Sequence, residues 1–285
     1  MRLRTMTSED ILGGIRLKDL AGWNQTREDW ERFLKASPNG CFVGEVDGKV
    51  CGTVTTICYE NRFAWIGMVL VDPEHRSKGF GTQLLEKAIK HLDELQVPTI
   101  KLDATPQGKH IYEKLGFVSE CELERWTFRR TAIDESKVVD RDLYEPMSSV
   151  LLESILAADR EVFGADRRFL LKDLYKNEPT FTLGNCLDGT VEGYAFGRRG
   201  SFADHLGPWM ARNSGSARRL LEAFLTRSKR DVLVVDCLKT NHFAGSLLRS
   251  LGFVYSRPLT RMYRGTNHYP GRRDNLCAIL GPEFG

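Results

Sequence analysis

The chain contains 285 residues, of which 41% are hydrophobic and 28% are charged, and its formal net charge is +3 at pH 7. These proportions are ordinary for a globular protein, and the length predicts about two domains. The modest charge argues against a nucleic-acid-binding protein, and no apolar run reaches the roughly 18 residues that a membrane-spanning helix requires. Because the first ten residues lack the apolar core of a secretory signal, we expect a cytoplasmic protein without membrane or nucleic-acid partners.

The cysteines and histidines are not spaced as metal ligands. The seven cysteines include no C-x-x-C pair, and their number is odd. A disulfide framework or a zinc site is therefore not expected, and we predict reduced, buried thiols. The six histidines form no ligand spacing either, so no metal site is predicted.

The first candidate helices lie at residues 15–34, where the apolar pattern breaks at Gly22. Thr26 is followed three residues later by Asp29, which is a capping-box signature for the start of the second helix. The three residues before Thr26, which are Trp23, Asn24 and Gln25, have no capping role. They form a loop between the two helices.

The next feature is an apolar run, "FAWIGMVLV", that predicts a buried strand at residues 63–71. A turn with two glycines and two cations follows it, "RSKGFG" at residues 76–81, and then a helix that begins near Gly81 or Thr82. Leucine, isoleucine and alanine recur in this helix with helical spacing, at residues 84, 85, 88, 89, 92 and 95. Glycines let successive N–H groups point into one concavity, and a helix N-terminus attracts anions. The turn therefore predicts a pyrophosphate site.

A second motif follows the helix. The segment "PTIKLDA" at residues 98–104 predicts a strand, and residues 105–117 predict a short helix that ends at Gly116. This helix carries the sequence "IYEKLGF". The pattern R-x-x-G-x-G after a strand, together with this second sequence, resembles the GNAT acetyltransferases over roughly residues 1–130.

The resemblance implies acetyl-CoA as co-substrate and a role for each part of the two motifs. The turn that would bind the pyrophosphate consists of Arg76, Ser77, Lys78, Gly79, Phe80, Gly81 and Thr82. The strand backbone that would hold the pantetheine arm and polarise the thioester carbonyl consists of Met68, Val69, Leu70 and Val71. Tyr112 would contact the coenzyme and protonate the departing thiolate. The loop of Trp23, Asn24 and Gln25 would face the acceptor.

The second half of the chain repeats the first with a shift of about 136 residues. Arg76 aligns with Arg212, and the sequence Leu-Gly-Phe-Val at residues 115–118 recurs at residues 251–254. The positions that carry chemistry differ, since Lys78, Gly81 and Tyr112 correspond to Ser214, Ala217 and Leu248. A repeat of this length indicates two similar domains.

We therefore expect an α/β (α+β) fold with two GNAT-like domains in tandem, each a mixed, mostly antiparallel twisted sheet flanked by helices. The boundaries that we predict are a catalytic domain that binds acetyl-CoA at residues 1–131, a linker at 132–146 and a degenerate domain at 147–285. The degenerate domain would have a structural role or contribute to the acceptor site.

The general base is not evident from the motifs. An acceptor amine must lose a proton before it attacks, because a lysine-like amine has a pKa of about 10.4. Asp103 is a weak candidate base, directly or through water, because its place in "DATP" favours a turn or capping residue. Glu120, Glu122 and Glu124 alternate along a predicted strand, which indicates either a solvated face or an acidic acceptor cleft. The segment "GPEFG" at residues 281–285 offers Glu283 or the chain-end carboxylate if it folds back toward the N-terminal domain.

We expect transfer of acetyl to a primary amine of a small molecule by direct attack on the thioester. Acetylation of protein lysines or N-termini is an alternative, because the sequence does not distinguish an open groove from a closed cleft. A second alternative is a regulator that binds acyl-CoA without turnover, and the presence of Tyr112 argues against it. A monomer and a homodimer are both compatible with the sequence.

Overall fold

The computed structural model describes residues 1–130 and 147–285, which form two compact units. Unit 1 comprises Met1–Glu120, Arg261–His268 and Pro282–Gly285. Unit 2 comprises the described residues of Cys121–Thr260 together with Tyr269–Gly281. The predicted linker, residues 132–146, lies outside the described residues. In the described part of the chain, no helix is both long and apolar enough to span a membrane.

Unit 1 is a sheet flanked by four helices. Its strands are β1 (Arg2–Thr5), β2 (Phe42–Val46), β3 (Lys49–Tyr59), β4 (Phe63–Val71) and β5 (Thr99–Ala104). Its helices are α1 (Ile11–Leu20), α2 (Arg27–Ala36), α3 (Phe80–Glu94) and α4 (Pro106–Lys114). The strands lie in chain order and pair antiparallel, except that β4 and β5 are parallel.

Helix α3 supplies much of the core of unit 1. The side chains that it buries are those of Leu84, Leu85, Ala88, Ile89 and Leu92, as the helical spacing predicted. Leu95, which has the same spacing, is 46% exposed because the helix ends at Glu94. Burial of each large aliphatic side chain contributes roughly 1.5–3 kcal/mol to folding.

Unit 2 repeats this arrangement. Its helices are α5 (Ser149–Phe163), α6 (Arg168–Asn177), α7 (Ser214–Arg227) and α8 (Ala244–Ser250). Its complete strands are β7 (Leu183–Leu187), β8 (Thr190–Arg199), β9 (Asp204–Ala211), β10 (Val232–Leu238) and β12 (Leu276–Ala278). Most of β6 (Val118–Arg129) and the first part of β11 (Val254–Gly265) also belong to unit 2. Neighbouring strands run in the order β6, β10, β12, β9, β8, β7. The predicted fold class, an α/β fold with two similar domains, is confirmed.

The division into units differs from the predicted boundaries at residues 131 and 147. Residues 123–129 of β6 pair with residues 232–238 of β10, so this strand completes the sheet of unit 2. The last residues of β11 belong to unit 1, where Met262 is fully buried in the core. Trp126 and Phe128 are buried in the core of unit 2. Burial explains the difference, because Trp126 and Phe128 of β6 are buried in unit 2, whereas Met262 of β11 is buried in unit 1.

Candidate active site

An opening between β4 and β5 is the central feature of unit 1. These parallel strands pair only at Ala64 with Ile100 and at Trp65 with Lys101. Both continue beyond this point, β4 to Val71 and β5 to Ala104. Because the ladder stops at Trp65, the residues of β4 that follow it present their main chain at the opening rather than to β5.

A β-bulge in β4 lies just inside this opening. Thr55 pairs with Gly67 and Thr53 pairs with Leu70, so Met68 and Val69 together oppose one residue of β3. Met68 has a φ of 49°, and its carbonyl oxygen accepts a 2.8 Å hydrogen bond from the Thr53 hydroxyl. Three of the four predicted pantetheine-binding residues, Met68, Val69 and Leu70, therefore lie at or next to the bulge, and Val71 ends the strand.

The turn between β4 and α3 brings together all the residues predicted to bind the pyrophosphate. Gly79 is left-handed, with a φ of 77°, and is the N-cap of α3 without a side-chain cap. The first intrahelical bond runs from Gln83 N to Gly79 O, at 3.1 Å. The N–H groups of residues 80–82 precede this bond and have no acceptor within the helix, at its positive end. The helix begins at Phe80, slightly earlier than predicted.

The two glycines of the turn serve different purposes. Gly79 adopts a backbone conformation that side chains disfavour. Gly81 has an ordinary helical conformation, and a Cβ atom there would meet only the Val71 side chain, at 3.6 Å. Gly81 is therefore not required by packing. Arg76 and Lys78 are exposed, and their head groups donate to main-chain oxygens of Val71 (3.3 Å) and Glu74 (3.0 Å).

Asp72 shapes the entry to this turn. Its Oδ2 atom lies 2.6 Å from Arg16 Nη1, and its Oδ1 atom accepts from the Glu74 N–H at 3.1 Å. Burial alone would raise the pKa of Asp72, but the guanidinium and the N–H donor outweigh it and lower the pKa. This carboxylate holds the turn in place.

Tyr112 lies on α4, directly after β5. Thr105 caps this helix through the Gly108 N–H, at 3.3 Å. The Tyr112 ring is half-buried, packs edge-on against Phe117 at 6.1 Å between centroids, and joins the core cluster that Val69 and Val71 also contact. Burial raises the pKa of Tyr112 to about 12. The phenol therefore keeps its proton at neutral pH.

Asp103, considered from the sequence as a base or as a turn or capping residue, is paired with Arg261. Its two carboxylate oxygens accept hydrogen bonds from Arg261, at 2.9 and 3.0 Å, and its side chain is fully buried. Arg261 also lies over the Trp65 ring, 4.5 Å from its centroid. A carboxylate that binds one guanidinium through both oxygens is a poor proton acceptor. The geometry favours a positioning role for Asp103 over that of a base.

The alternating glutamates are divided between the two units and have separate partners. Glu120 belongs to unit 1, where it contacts Lys101 at 3.3 Å and accepts from Asn267 at 3.0 Å. Glu122 and Glu124 belong to unit 2, where they contact Lys239 and the Trp126 indole. Each of these glutamates has a partner in its own unit, and the acidic-cleft interpretation of the run stays a prediction.

The last residues of the chain pack beside the bulge of β4. Trp65 Nε1 donates to Pro282 O at 2.9 Å, and Tyr59 donates to Phe284 O at 2.7 Å. The Phe284 ring stacks on Phe33 of α2, with centroids 4.6 Å apart. The fold-back considered from the sequence is present, and it places Glu283, which is 3% exposed, in unit 1.

The loop before α2 is only partly accessible. Asn24 and Gln25 are buried, and Trp23 is half-buried. The predicted capping box is present, with Asp29 accepting from the Thr26 N–H at 2.9 Å. The buried Oε1 atom of Gln25 accepts no hydrogen bond from the described residues. A buried acceptor without a hydrogen bond destabilises the folded protein, and a donor group of a substrate would remove this cost. Gln25 is therefore the strongest substrate-binding candidate in the loop.

In unit 2, the equivalent opening is filled by the chain itself. The parallel strands β9 and β10 pair at residues 204–206 and 233–235 and then separate, as β4 and β5 do. The short strand β12 lies in the gap, pairing with Trp209 and Met210 on one side and with Cys237 on the other. The apolar run "LCAIL" at residues 276–280 was a sequence signal for this strand that the repeat comparison missed.

The N-terminus of α7, the counterpart of α3 in unit 2, is also occupied by the chain's own side chain. Helix α7 begins at Ser214, so the residues aligned with Lys78 and Gly79 are already helical. The side chain of Asn213 caps this helix, accepting from the Ser216 N–H at 2.8 Å. Leu248, which replaces Tyr112, is fully buried as a packing residue. Neither the opening nor the left-handed glycine turn of unit 1 is repeated here.

A surface depression of about 580 Å³ lies elsewhere on unit 1. It is lined by Glu86, Ile89, Lys90, Asp93, Glu94, Leu115 and Arg264, along the outer side of α3. Its charges are mixed, and it includes neither the turn nor the opening.

Comparison with known proteins identifies the family of both halves. Residues 14–117 match the acetyltransferase (GNAT) family, and residues 155–278 match an acetyltransferase (GNAT) domain. Holothin acyltransferase from Pseudoalteromonas sp. (strain SANK 73390) is 28% identical over 266 residues, which cover 92% of this chain and 87% of that protein. The N-acetyltransferase YitH of Bacillus subtilis (strain 168) is 26% identical over 247 residues, covering 86% of this chain and 85% of that protein.

A solved structure shows the same fold over the whole chain. The crystal structure of an acetyltransferase from Pyrococcus horikoshii superposes with a TM-score of 0.82 at 22% sequence identity. The match covers 100% of this chain and 95% of the other.

Proposed function

The chain belongs to the GNAT acetyltransferases, with one such domain in each half, and from this premise we propose that unit 1 transfers acetyl from acetyl-CoA to a primary amine of a small molecule. The chain is an N-acetyltransferase. The assignment of catalysis to unit 1 is supported by one observation, the opening of β4 and β5 beside a helix N-terminus without a side-chain cap. In unit 2, β12 fills the corresponding opening, and the Asn213 side chain caps the corresponding helix N-terminus.

The turn at residues 76–82 would hold the pyrophosphate of the co-substrate. The N–H groups of residues 80–82 and the dipole of α3 attract an anion without any side chain. Arg76 and Lys78 are exposed and flank these groups, so each head group can exchange a main-chain oxygen for a phosphate oxygen. The main chain of Met68–Val71 would hold the pantetheine arm, because it faces the opening rather than β5.

The co-substrate supplies a thioester whose carbonyl carbon the amine would attack directly. Tyr112 would stabilise the departing sulfur. Because a thiol has a pKa of about 8.5 and burial raises that of Tyr112 to about 12, complete proton transfer from this phenol to a thiolate is unfavourable. We therefore assign Tyr112 a hydrogen bond to the developing thiolate, which then takes its proton from solvent.

A small-molecule acceptor is supported by the relatives and by the shape of unit 1. A relative that matches over nearly the whole chain is named for acylating holothin. The segment Pro282–Gly285 packs against Trp65 of β4 and Phe33 of α2, where it would restrict the approach of a peptide. Acetylation of protein lysines or N-termini is the alternative that the following experiments separate.

The first experiment counts coenzyme sites by calorimetric titration of the full-length chain with acetyl-CoA. We expect one site per chain. Gly81→Leu should abolish binding, because a side chain would cover the amides of the turn. Gly215→Leu is the matched control in unit 2, where the residue is exposed in α7, and it should bind like the wild type. Two equivalent sites per chain would contradict the assignment to unit 1.

The second experiment identifies the acceptor class. Thiol release from acetyl-CoA is measured with polyamines, amino acids, aminoglycosides and lysine-containing peptides. We expect turnover with a small amine and none with peptides. Turnover with peptides alone would establish the protein-acetylating alternative, and binding without turnover would leave a regulator.

A further inference from the structure

The segment Pro282–Gly285 is held in unit 1 as a bound peptide is held, through its main chain and one aromatic side chain. Its first carbonyl oxygen accepts a 2.9 Å hydrogen bond from the Trp65 indole, and its third accepts a 2.7 Å hydrogen bond from the Tyr59 phenol. The Phe284 ring stacks on Phe33 of α2, with centroids 4.6 Å apart. These three anchors fix the course of its main chain.

The segment crosses the face of the sheet that lies opposite α3. Successive side chains of a strand point to opposite faces. Ala64 and Ile66 of β4 are buried in the core cluster to which α3 contributes, so Trp65 and Gly67 point to the other face. A Cβ atom on Gly67 would come within 2.6 Å of Glu283 O. The main chain of the segment therefore passes directly over Gly67.

This crossing lies at the start of the opening between β4 and β5. The two strands pair for the last time at Trp65, and Gly67 comes immediately before the bulge at Met68. On the face of α3, the side chains of Val69 and Tyr112 pack against the core cluster. That face is occupied by the core, whereas the opposite face is occupied at this point by the main chain of Pro282–Gly285.

A second candidate ligand group belongs to the same side of the sheet. Helix α2 lies there, since its Phe33 stacks on Phe284. The loop before α2 ends with Gln25, whose buried Oε1 atom has no hydrogen-bond partner among the described residues. A donor group of a ligand would satisfy this atom. The loop and the segment Pro282–Gly285 therefore both border the side from which a ligand would come.

We propose that the segment Pro282–Gly285 forms a wall of the acceptor site of unit 1 and selects primary amines by size, an inference that rests on the function proposed above. An amine that attacks a thioester in the opening approaches from the face opposite α3, because the core covers the other face. The main chain over Gly67 narrows this approach where the opening begins. A small-molecule amine passes the wall, whereas an amine attached to a peptide brings bulk that the wall excludes.

The ratio of kcat/KM for a large acceptor to that for a small one tests this role, because it does not depend on the fraction of a variant that is folded. Thiol release is measured with the panel of small amines, aminoglycosides and lysine-containing peptides. Phe284→Ala removes the aromatic anchor, and we expect the ratio to shift toward the larger acceptors by about 10-fold or more. Tyr59→Phe removes one main-chain anchor and should shift the ratio less, in the same direction.

Phe253→Ala is the matched control for stability. Phe253 is a buried phenylalanine in the core of unit 2 that packs against Phe128, with centroids 5.3 Å apart. Its loss should destabilise the protein as the loss of Phe284 does, and we expect the ratio for large and small acceptors to stay that of the wild type. An equal shift of the ratio in Phe253→Ala would overturn the inference, because selectivity would then follow stability alone.

A chain that ends at Gly281 removes the wall outright, and we expect it to acetylate lysine-containing peptides. The peptide acetyl-GPEFG, whose blocked amine is not an acceptor, should bind this chain in a calorimetric titration and restore the preference for small amines. The same peptide with alanine in place of phenylalanine should bind more weakly. If the shortened chain does not fold, the ratios in Phe284→Ala and Tyr59→Phe decide alone.

The outcomes separate this inference from the function on which it rests. A ratio unchanged from that of the wild type in both Phe284→Ala and Tyr59→Phe overturns the inference and makes the segment purely structural. A wild-type chain that acetylates peptides as readily as small amines also overturns it, although the chain remains an acetyltransferase. If the wild type releases no thiol with any amine, the proposed function fails and the inference fails with it.

Discussion

The phenol of Tyr59 donates a 2.7 Å hydrogen bond to the carbonyl oxygen of Phe284, although 225 positions separate the two residues. Both side chains are buried, and Phe284 also stacks on Phe33. The last four residues are therefore part of the core of unit 1. Two GNAT domains joined in tandem need not be independent, since each half of this sequence completes the other's fold.

The first prediction concerns Gly67. Gly67→Ala places a methyl group 2.6 Å from Glu283 O, and a main-chain atom cannot yield as a flexible side chain does. We expect a loss of about 1–3 kcal/mol in the free energy of unfolding, measured in urea. Turnover should fall as well, because the tail is displaced. Gly81→Ala is the control for stability, since its nearest neighbour lies at 3.6 Å. Wild-type stability and turnover in Gly67→Ala would contradict the placement of the tail.

The second prediction concerns Tyr112. Tyr112→Phe should lower kcat by about 10²-fold, the effect of removing one hydrogen-bond donor from a developing anion, while acetyl-CoA binds as before. Since burial raises the pKa of Tyr112 to about 12, the phenol stays protonated from pH 7 to 10. Across that range, the pH profile of kcat should therefore have the same shape in the wild type and in the phenylalanine variant. An unchanged kcat, with chemistry limiting the rate, would exclude Tyr112 from the mechanism.

A third prediction separates the structural role of Asp103 from a catalytic one. Asp103→Leu alone leaves Arg261 buried without its partner, which should cost about 3–5 kcal/mol in the free energy of unfolding. Asp103→Leu combined with Arg261→Met should recover most of this stability and retain turnover. The double-mutant cycle is followed by urea unfolding and thiol release. A stable double variant without turnover would instead assign the base to Asp103.

The fourth prediction concerns a fragment of residues 1–145. This fragment lacks Met262, which is buried in the core of unit 1, and Phe284, which stacks on Phe33. It also leaves Trp126 and Phe128 without the core in which they are buried. We expect aggregation or weak turnover, monitored by size-exclusion chromatography and thiol release. A monodisperse, fully active fragment would show that the second half is dispensable.

Local features were predictable because neighbouring residues encode them. The strand before residue 71, the glycine turn at 76–81 and the buried face of α3 follow from periodicity and from glycine conformations. The capping box at Thr26 and Asp29 is likewise a relation between residues three apart. The internal repeat was enough to predict two domains of one family, and its substitutions at Lys78, Gly81 and Tyr112 were enough to favour the first copy.

The tertiary structure decided which distant segments complete each unit. The partner of Asp103 is Arg261, 158 positions away, and no spacing rule connects them. The strand β12 fills unit 2, and no described residue of unit 1 forms an equivalent strand between β4 and β5. The segment Pro282–Gly285 is held in unit 1 by contacts with Trp65, Tyr59 and Phe33. Such contacts depend on which apolar surfaces remain uncovered once the local elements have formed. The sequence by itself therefore determined the glycine turn before α3, and long-range packing decided in which unit the gap between the parallel strands stays open.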